Sequence, residues 1–188
     1  MDTLLGIDEV GRGCWAGPLL VVAARANRVL PTGLADSKVL SKNKREFLYD
    51  KIVDTCSLGE GWVQPHEIDS IGLAKAMYLG VSRALMELGT MLDEHIILDG
   101  IVNYCSPEFT HVEVMPRADK FSPIVSAASI YAKVTRDKHM ERVGQFYPEF
   151  SFEKHVGYGT ELHLDMLKKH GVTNVHRRSF KPIQKLLS

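Results

Sequence analysis

Apolar residues along this chain follow two rhythms: short continuous runs of strand length, and longer stretches in which they return every three or four positions. The runs come first. Leu4, Leu5 and Ile7 predict a short buried strand, and Pro18 to Ala26 predicts a second, reached through a tight turn and so antiparallel to the first. After a loop from Val29 to Leu40, a helix is expected with Ser41 as its N-cap. Phe47, Leu48, Ile52 and Val53 share one face of it, with Lys42, Lys44, Arg45 and Asp50 turned outward. Trp62 and Val63 predict a strand after the Gly59/Gly61 pair, ended by Pro65. From Ser70 to Gly89, Leu73, Met77, Val81, Ala84 and Leu88 keep a helical period and predict a core-packing helix. Ile96 to Leu98 and His111 to Met115 read as further strands. Ser122 opens the longest helical pattern, in which Ile124, Ala128, Tyr131 and Val134 form the buried side. Its small residues Ser126 to Ser129 permit close approach, and Lys133, Arg136 and Lys138 fall on other faces. A loop from Phe146 to Thr160 follows, then two short basic helices, Glu161 to His170 and Phe180 to Leu187.

Composition bounds this picture. With 188 residues, 45% of them hydrophobic, the chain can bury one good core and a small appended part. The expected division is a catalytic unit over 1–143 and a helical part over 144–188, packed as one compact body. Basic and acidic residues balance at 23 each, so the sum gives no sign of a polyanionic partner. Their distribution does. No acid follows Asp165, whereas Lys168, Lys169, Arg177, Arg178, Lys181 and Lys185 lie there, a basic patch suited to phosphate. Cys14, Cys56 and Cys105 are odd in number and lack a CxxC spacing, which predicts reduced packing thiols in a cytoplasmic protein. The first residues lack the basic start and apolar run of a signal peptide, and no stretch has the roughly 20 apolar residues of a membrane span.

The candidate chemistry sits where strands end. Asp8 and Glu9 close the first strand, and a glycine-flanked arginine, Gly11-Arg12-Gly13, follows at once. A lone acid pair reads most simply as solvated carboxylates beside a loop salt bridge. However, Ile96 to Leu98 run straight into Asp99, and the strand ending at Met115 leads through Arg117 to Asp119. If the first and fourth strands are parallel neighbours, these acids converge at one sheet edge. Four carboxylates suit two magnesium ions clamping the attacking and leaving oxygens of a phosphoryl displacement. The histidines show no zinc-ligand spacing and read as surface or hydrogen-bonding groups, His163 being the least certain. GxSxG, HExxH and GxxxxGK[ST] strings are absent.

Taken in order, GIDEVGRG, LADSK, PHEID, LDG, SAASIYAKVTRD, HVGYGT and HRRSF resemble the motifs of the ribonuclease HII family, the bacterial type 2 ribonucleases H, over nearly the whole chain. The resemblance implies an α/β fold, a ribonuclease H-like mixed β-sheet flanked by helices with a helical C-terminal extension over the substrate groove. It implies metal-binding catalytic acids at Asp8, Glu9, Asp99 and Asp119, loaded with Mg²⁺ or Mn²⁺. Gly11, Arg12 and Gly13 with Tyr158 would sense the 2′-hydroxyl where RNA passes into DNA, with Ser37, Lys38, Arg177 and Arg178 as further substrate contacts. The implied reaction is endonucleolytic hydrolysis of the RNA strand of RNA·DNA hybrids, and of duplex DNA 5′ of single ribonucleotides, leaving 3′-hydroxyl and 5′-phosphate ends. The chain departs from the family twice. Arg117-Ala118-Asp119 stands where Lys-Gly-Asp is common, and Val156-Gly157-Tyr158 where Lys-Gly-Tyr is common, which changes a loop and one phosphate contact but keeps the acid and the tyrosine. Another two-metal nuclease of the same architecture would share the acids without needing Gly11-Arg12-Gly13 and Tyr158, and a non-catalytic hybrid binder would not keep four acids facing a polyanion. A monomer with no membrane partner is expected. The closing PIQKLLS offers Gln184, Leu186 and Leu187 to a sliding clamp, or packs as a plain amphipathic terminal helix.

Overall fold

The structure, a computed structural model, describes residues 4–34 and 40–187; Ser37 and Lys38, two expected substrate contacts, lie outside the described residues. Its centre is a five-stranded mixed sheet of β1 (Leu4–Val10), β2 (Leu19–Ala26), β3 (Cys56–Val63), β4 (His95–Asp99) and β5 (Val112–Met115) in the order β3-β2-β1-β4-β5. β2 runs antiparallel to β1 and β3, whereas β4 runs parallel to both β1 and β5. The helices are α1 (Lys42–Thr55), α2 (Pro65–Ile71), α3 (Leu73–Leu88), α4 (Pro123–Phe146), α5 (Phe152–His155), α6 (Glu161–His170) and α7 (Lys181–Leu187). Each strand sends alternate side chains to opposite faces. Leu5, Ile7, Leu19, Val21 and Ala23 therefore meet α3, while Val10, Leu20, Val22 and Ala24 meet α1 and α4.

Close approach of helix to sheet depends on missing Cβ atoms. A methyl at Gly6 would lie 2.6 Å from the α4 backbone at Val125, and one at Gly61 would lie 1.8 Å from the Gly80 carbonyl oxygen. Both collisions are far inside van der Waals contact. The Gly59/Gly61 pair thus lies inside β3 rather than ahead of it, and the strand is longer than its two large residues indicated.

Three further expectations change. Pro65 does not simply end a strand; it opens α2, where a proline needs no amide partner, and Glu67 accepts from the Gln64 N–H. Of the face expected on α1, Leu48 and Ile52 are buried, but Phe47 and Val53 are exposed, with Lys44 and Lys51 ammonium groups over the Phe47 ring. Arg136 does not leave its charge outside. It is fully buried under the turn that follows β1.

The C-terminal part joins the rest through a third cluster in which Phe150, Phe152, Leu167 and Ile183 pack with Ala16 and Met140. Ile183 and part of Leu186 face this core, while Gln184 and Leu187 of α7 are exposed. All three cysteines are free and buried. Among the described residues no helix is long and apolar enough to cross a membrane.

Candidate active site

The sheet alternation decides which acids meet. β1 and β4 pair in register up to Ile7 opposite Leu98, so one step further the parallel strands carry Asp8 and Asp99 side by side. Both follow a residue aimed at α3, and both therefore point to the α4 face. Asp119 arrives from the turn after β5. That turn is fixed from two sides, by the Ala118 N–H donating to Asp99 Oδ1 at 2.6 Å and by the Ser126 hydroxyl donating to the Asp119 carbonyl. Glu9 points to the other side of β1, where its Oε1 lies 3.6 Å from Arg12 Nη1.

Asp8, Glu9, Asp99 and Asp119 line one cavity of about 710 Å³, together with Gly11, Arg12, Gly13 and Tyr158. Every one of these eight sequence-predicted residues is brought together. Burial, the charge of Glu9 and then that of Asp99 push the Asp8 carboxyl well above its ordinary range, partly offset by a Ser129 hydrogen bond. Burial also raises Glu9, against the opposing pull of Arg12. A pair of acids held uncomfortably as anions is what a bound cation relieves, and an all-oxygen donor set suits magnesium or manganese. Among the described residues, no three acid, His or Cys side chains form a preformed cage.

The two glycines of Gly11-Arg12-Gly13 do different work. A Cβ at Gly11, whose φ is +82°, would lie 2.2 Å from Arg136 Nε, so this glycine makes room for a buried side chain. Gly13 has open space where its Cβ would be, which leaves its backbone accessible from the cavity. Arg12 donates to the Tyr104 hydroxyl at 3.3 Å. Tyr158 is part exposed, with Lys133 Nζ 5.9 Å from its ring centre, and burial pushes its phenol up to about 12.

Of the two tail arginines, only Arg178 is exposed. Arg177 is fully buried, donating from Nε to the Gly17 carbonyl at 3.0 Å and from Nη1 to that of Arg12 at 3.0 Å. It cannot reach a phosphate and instead holds the loop that carries Arg12. Sequence reasoning missed Ser129, Lys133, Arg117 and Lys120, which also line the cavity. The spacing of Ser129 and Lys133, four apart on α4, places both on one helical face and could have signalled them.

The family described as Ribonuclease HII has a sequence model that matches residues 5–183. The chain is 42% identical over 189 residues to a ribonuclease HII of Marinomonas sp. (strain MWYL1), covering 99% of this chain and 94% of that one. Its fold is similar to that of the ribonuclease HII solved in complex with PCNA from Archaeoglobus fulgidus, with a TM-score of 0.80, 27% identity and 95% of each chain covered. It is also similar to ribonuclease H2 of Pyrococcus horikoshii OT3, with a TM-score of 0.79 and 27% identity, covering 98% of this chain and 96% of that one.

Proposed function

Because the chain belongs to the ribonuclease HII family, and is thereby a ribonuclease H and a nuclease, we propose that it cuts on the 5′ side of single ribonucleotides in duplex DNA as well as within RNA·DNA hybrids. The products are 3′-hydroxyl and 5′-phosphate ends. The observation that carries this reading is the shared cavity, which four acids line together with Gly13, Arg12 and Tyr158. When bound, two Mg²⁺ or Mn²⁺ ions would neutralise the scissile phosphate, lower the pKa of the attacking water and stabilise the departing 3′-oxygen.

The residues of the chain do the rest. Asp8, Glu9, Asp99 and Asp119 would hold the ions. The open backbone at Gly13 and the Tyr158 hydroxyl approach the 2′-hydroxyl that marks a ribonucleotide, and the Tyr158 ring packs on the next sugar. Arg12 and Lys133 supply positive charge along the groove, and the exposed Arg178 reaches flanking phosphates. Ser37 and Lys38 are proposed as substrate contacts on sequence grounds alone. A sliding clamp is a second partner supported by two observations, the outward Gln184 and Leu187 of α7 and the PCNA complex of the Archaeoglobus relative. Co-elution with a clamp, lost on removing the residues after Ser179, tests it.

The direct test is a duplex carrying one ribonucleotide, with the cut mapped in magnesium and in EDTA. A single cut 5′ of the ribonucleotide, abolished by EDTA, is expected. Asp8→Asn and Asp99→Asn each remove a ligand charge with almost no change in volume. They are expected to leave a folded protein with less than about one percent of the activity, given the share of barrier lowering that metals supply. Activity above that level in either variant rules out the two-ion assignment.

A further inference from the structure

Two arginines are completely buried behind the cavity, and among the described residues neither forms an ion pair. Their donors go to main-chain carbonyls. Arg136, on α4, donates from Nε to Pro18 at 2.8 Å, from Nη2 to Ala16 at 3.2 Å and from Nη1 to Val156 at 2.9 Å. Arg177 takes the Gly17 and Arg12 carbonyls, and its Nη2 has no hydrogen-bond partner. A buried cation without a counter-charge is a poor way to gain stability, since apolar residues of similar volume often serve as well or better.

Every carbonyl so held belongs to one of two segments, the loop of residues 11–18 that carries Arg12 and Gly13, or the turn that carries Tyr158. The segments also bond directly, because the Trp15 and Ala16 N–H groups both donate to the Gly157 carbonyl, at 2.8 and 3.2 Å. The Arg177 N–H donates to the Trp15 carbonyl at 2.7 Å, which adds the tail to the same knot. Space is used as tightly. A Cβ at Gly157 would lie 2.3 Å from the Ala16 carbonyl oxygen, and one at Gly159 would lie 2.1 Å from the Trp15 indole. Val156 is held at φ +44°, a left-handed conformation that a β-branched residue adopts only when its surroundings force it.

We propose that Arg136 and Arg177 are positioning residues, a clasp that locks the loop of residues 11–18 and the Tyr158 turn into one rigid unit and so fixes the gap in which the ribonucleotide sugar is read. This rests on the reading of Gly13, Arg12 and Tyr158 given above. The clasp touches no substrate. It acts through the carbonyls, and a displacement of about 1 Å in such an arrangement costs on the order of a hundredfold in rate.

Arg136→Lys keeps the charge, but one ammonium cannot span three carbonyls; Arg177→Lys serves where Arg136→Lys does not fold. Amide exchange is expected to quicken about tenfold or more in residues 11–17 and 156–158 together, with the sheet unchanged. On a duplex with one ribonucleotide, kcat is expected to fall about ten- to a hundredfold, KM to move less than about threefold, and cuts to appear at neighbouring phosphodiesters. A folded variant with wild-type kcat and a single cut, or with faster exchange in one segment alone, overturns the clasp. Tyr158→Ala is measured in parallel. If it keeps the wild-type rate and cut, the reading of Tyr158 fails. The exchange experiment, which does not depend on what Tyr158 touches, then decides the clasp by itself.

Discussion

At the scale of single residues, neighbours in sequence take opposite duties. Arg177 and Arg178 are equal members of a basic tail by composition, yet one is buried and holds two carbonyls while the other is exposed. Arg177→Ala leaves the carbonyls of Arg12 and Gly17 without their donor, at about 1–3 kcal/mol for each buried group. Arg178→Ala removes one exposed cation and no side-chain hydrogen bond, since its link to Asp69 runs through the backbone N–H. Arg177→Ala should therefore lower the melting temperature, and Arg178→Ala should not. Arg178→Ala should instead flatten the slope of log affinity for hybrid against log salt by about 0.7–0.9, the loss of one phosphate contact. An unchanged slope would show that Arg178 faces away from the nucleic acid. The sequence could not separate the pair, because burial of an arginine depends on which loops fold over it, and those loops lie far away in the chain.

Secondary-structure elements were legible where one periodicity ran unbroken. The strand β4 ending at Asp99, the N-cap at Ser41 and the apolar stripe of α3 form as the pattern implies, while β1 runs on past its acids, with Asp8, Glu9 and Val10 still paired to β2. The stretch from Phe146 to Thr160 reads as a loop, yet it holds the short helix α5 and buries Phe150 and Phe152, because aromatic packing without a period and a hydrogen-bonded histidine chain shape it. Partner chemistry assigns each tautomer there. Thr173 N–H donates to His176 Nδ1, His176 Nε2 donates to His163 Nε2 at 3.1 Å, and His163 Nδ1 donates to the Tyr158 carbonyl at 2.9 Å. His155 donates to the Phe150 carbonyl and accepts from the Gly157 N–H. Each ring is satisfied only when neutral. Burial accordingly pushes His163 down to about 4 and His176 to about 3. Depressed histidines stay neutral in the fold while the unfolded chain takes up protons below about pH 6.5, so stability is lost as pH falls from there toward 4. The slope is about 1.4 kcal/mol per pH unit for each histidine. Denaturant midpoints measured from pH 7 to 5 should fall accordingly, and His163→Gln should flatten the dependence. Raised Asp8 and Glu9 act in the opposite sense, so the readout is the difference between wild type and His163→Gln, and equal pH dependence in the two would show that His163 is not held neutral in the fold.

For the molecule as a whole, the order of strands, helices and acids along the chain was enough to place the site at the carboxyl ends of β1 and β4, because parallel neighbours joined by a helix leave few alternatives. The surroundings of the cavity were less legible: Ser129 and Lys133 in its wall and the buried Arg136 behind it all come from α4, whose charged residues read as solvent-facing by type. What the whole chain assembles is a cluster of four acids, matched around the same cavity by Arg12, Arg117, Lys120 and Lys133. Asp8 and Glu9 from β1, Asp99 from β4 and Asp119 after β5 are scattered in the unfolded chain and gathered only by folding, so ions that bind the set bind the native state alone. Such a ligand stabilises by about 2.7 kcal/mol at a hundred times its dissociation constant. For a chain of this length that corresponds to a rise of roughly 5–10 °C in melting temperature. Manganese or magnesium should therefore raise the melting temperature above its value in EDTA. Asp8→Asn removes a buried acid whose carboxyl burial and Glu9 push well above its ordinary range, and with it a share of the mutual repulsion. The variant should melt higher than wild type in EDTA, yet gain much less from added metal. Calorimetry of both proteins with and without manganese checks the two halves separately. A variant that melts lower in EDTA would mean that Asp8 contributes stability as a hydrogen-bonding anion, and one that gains as much from manganese as wild type would remove Asp8 from the metal site.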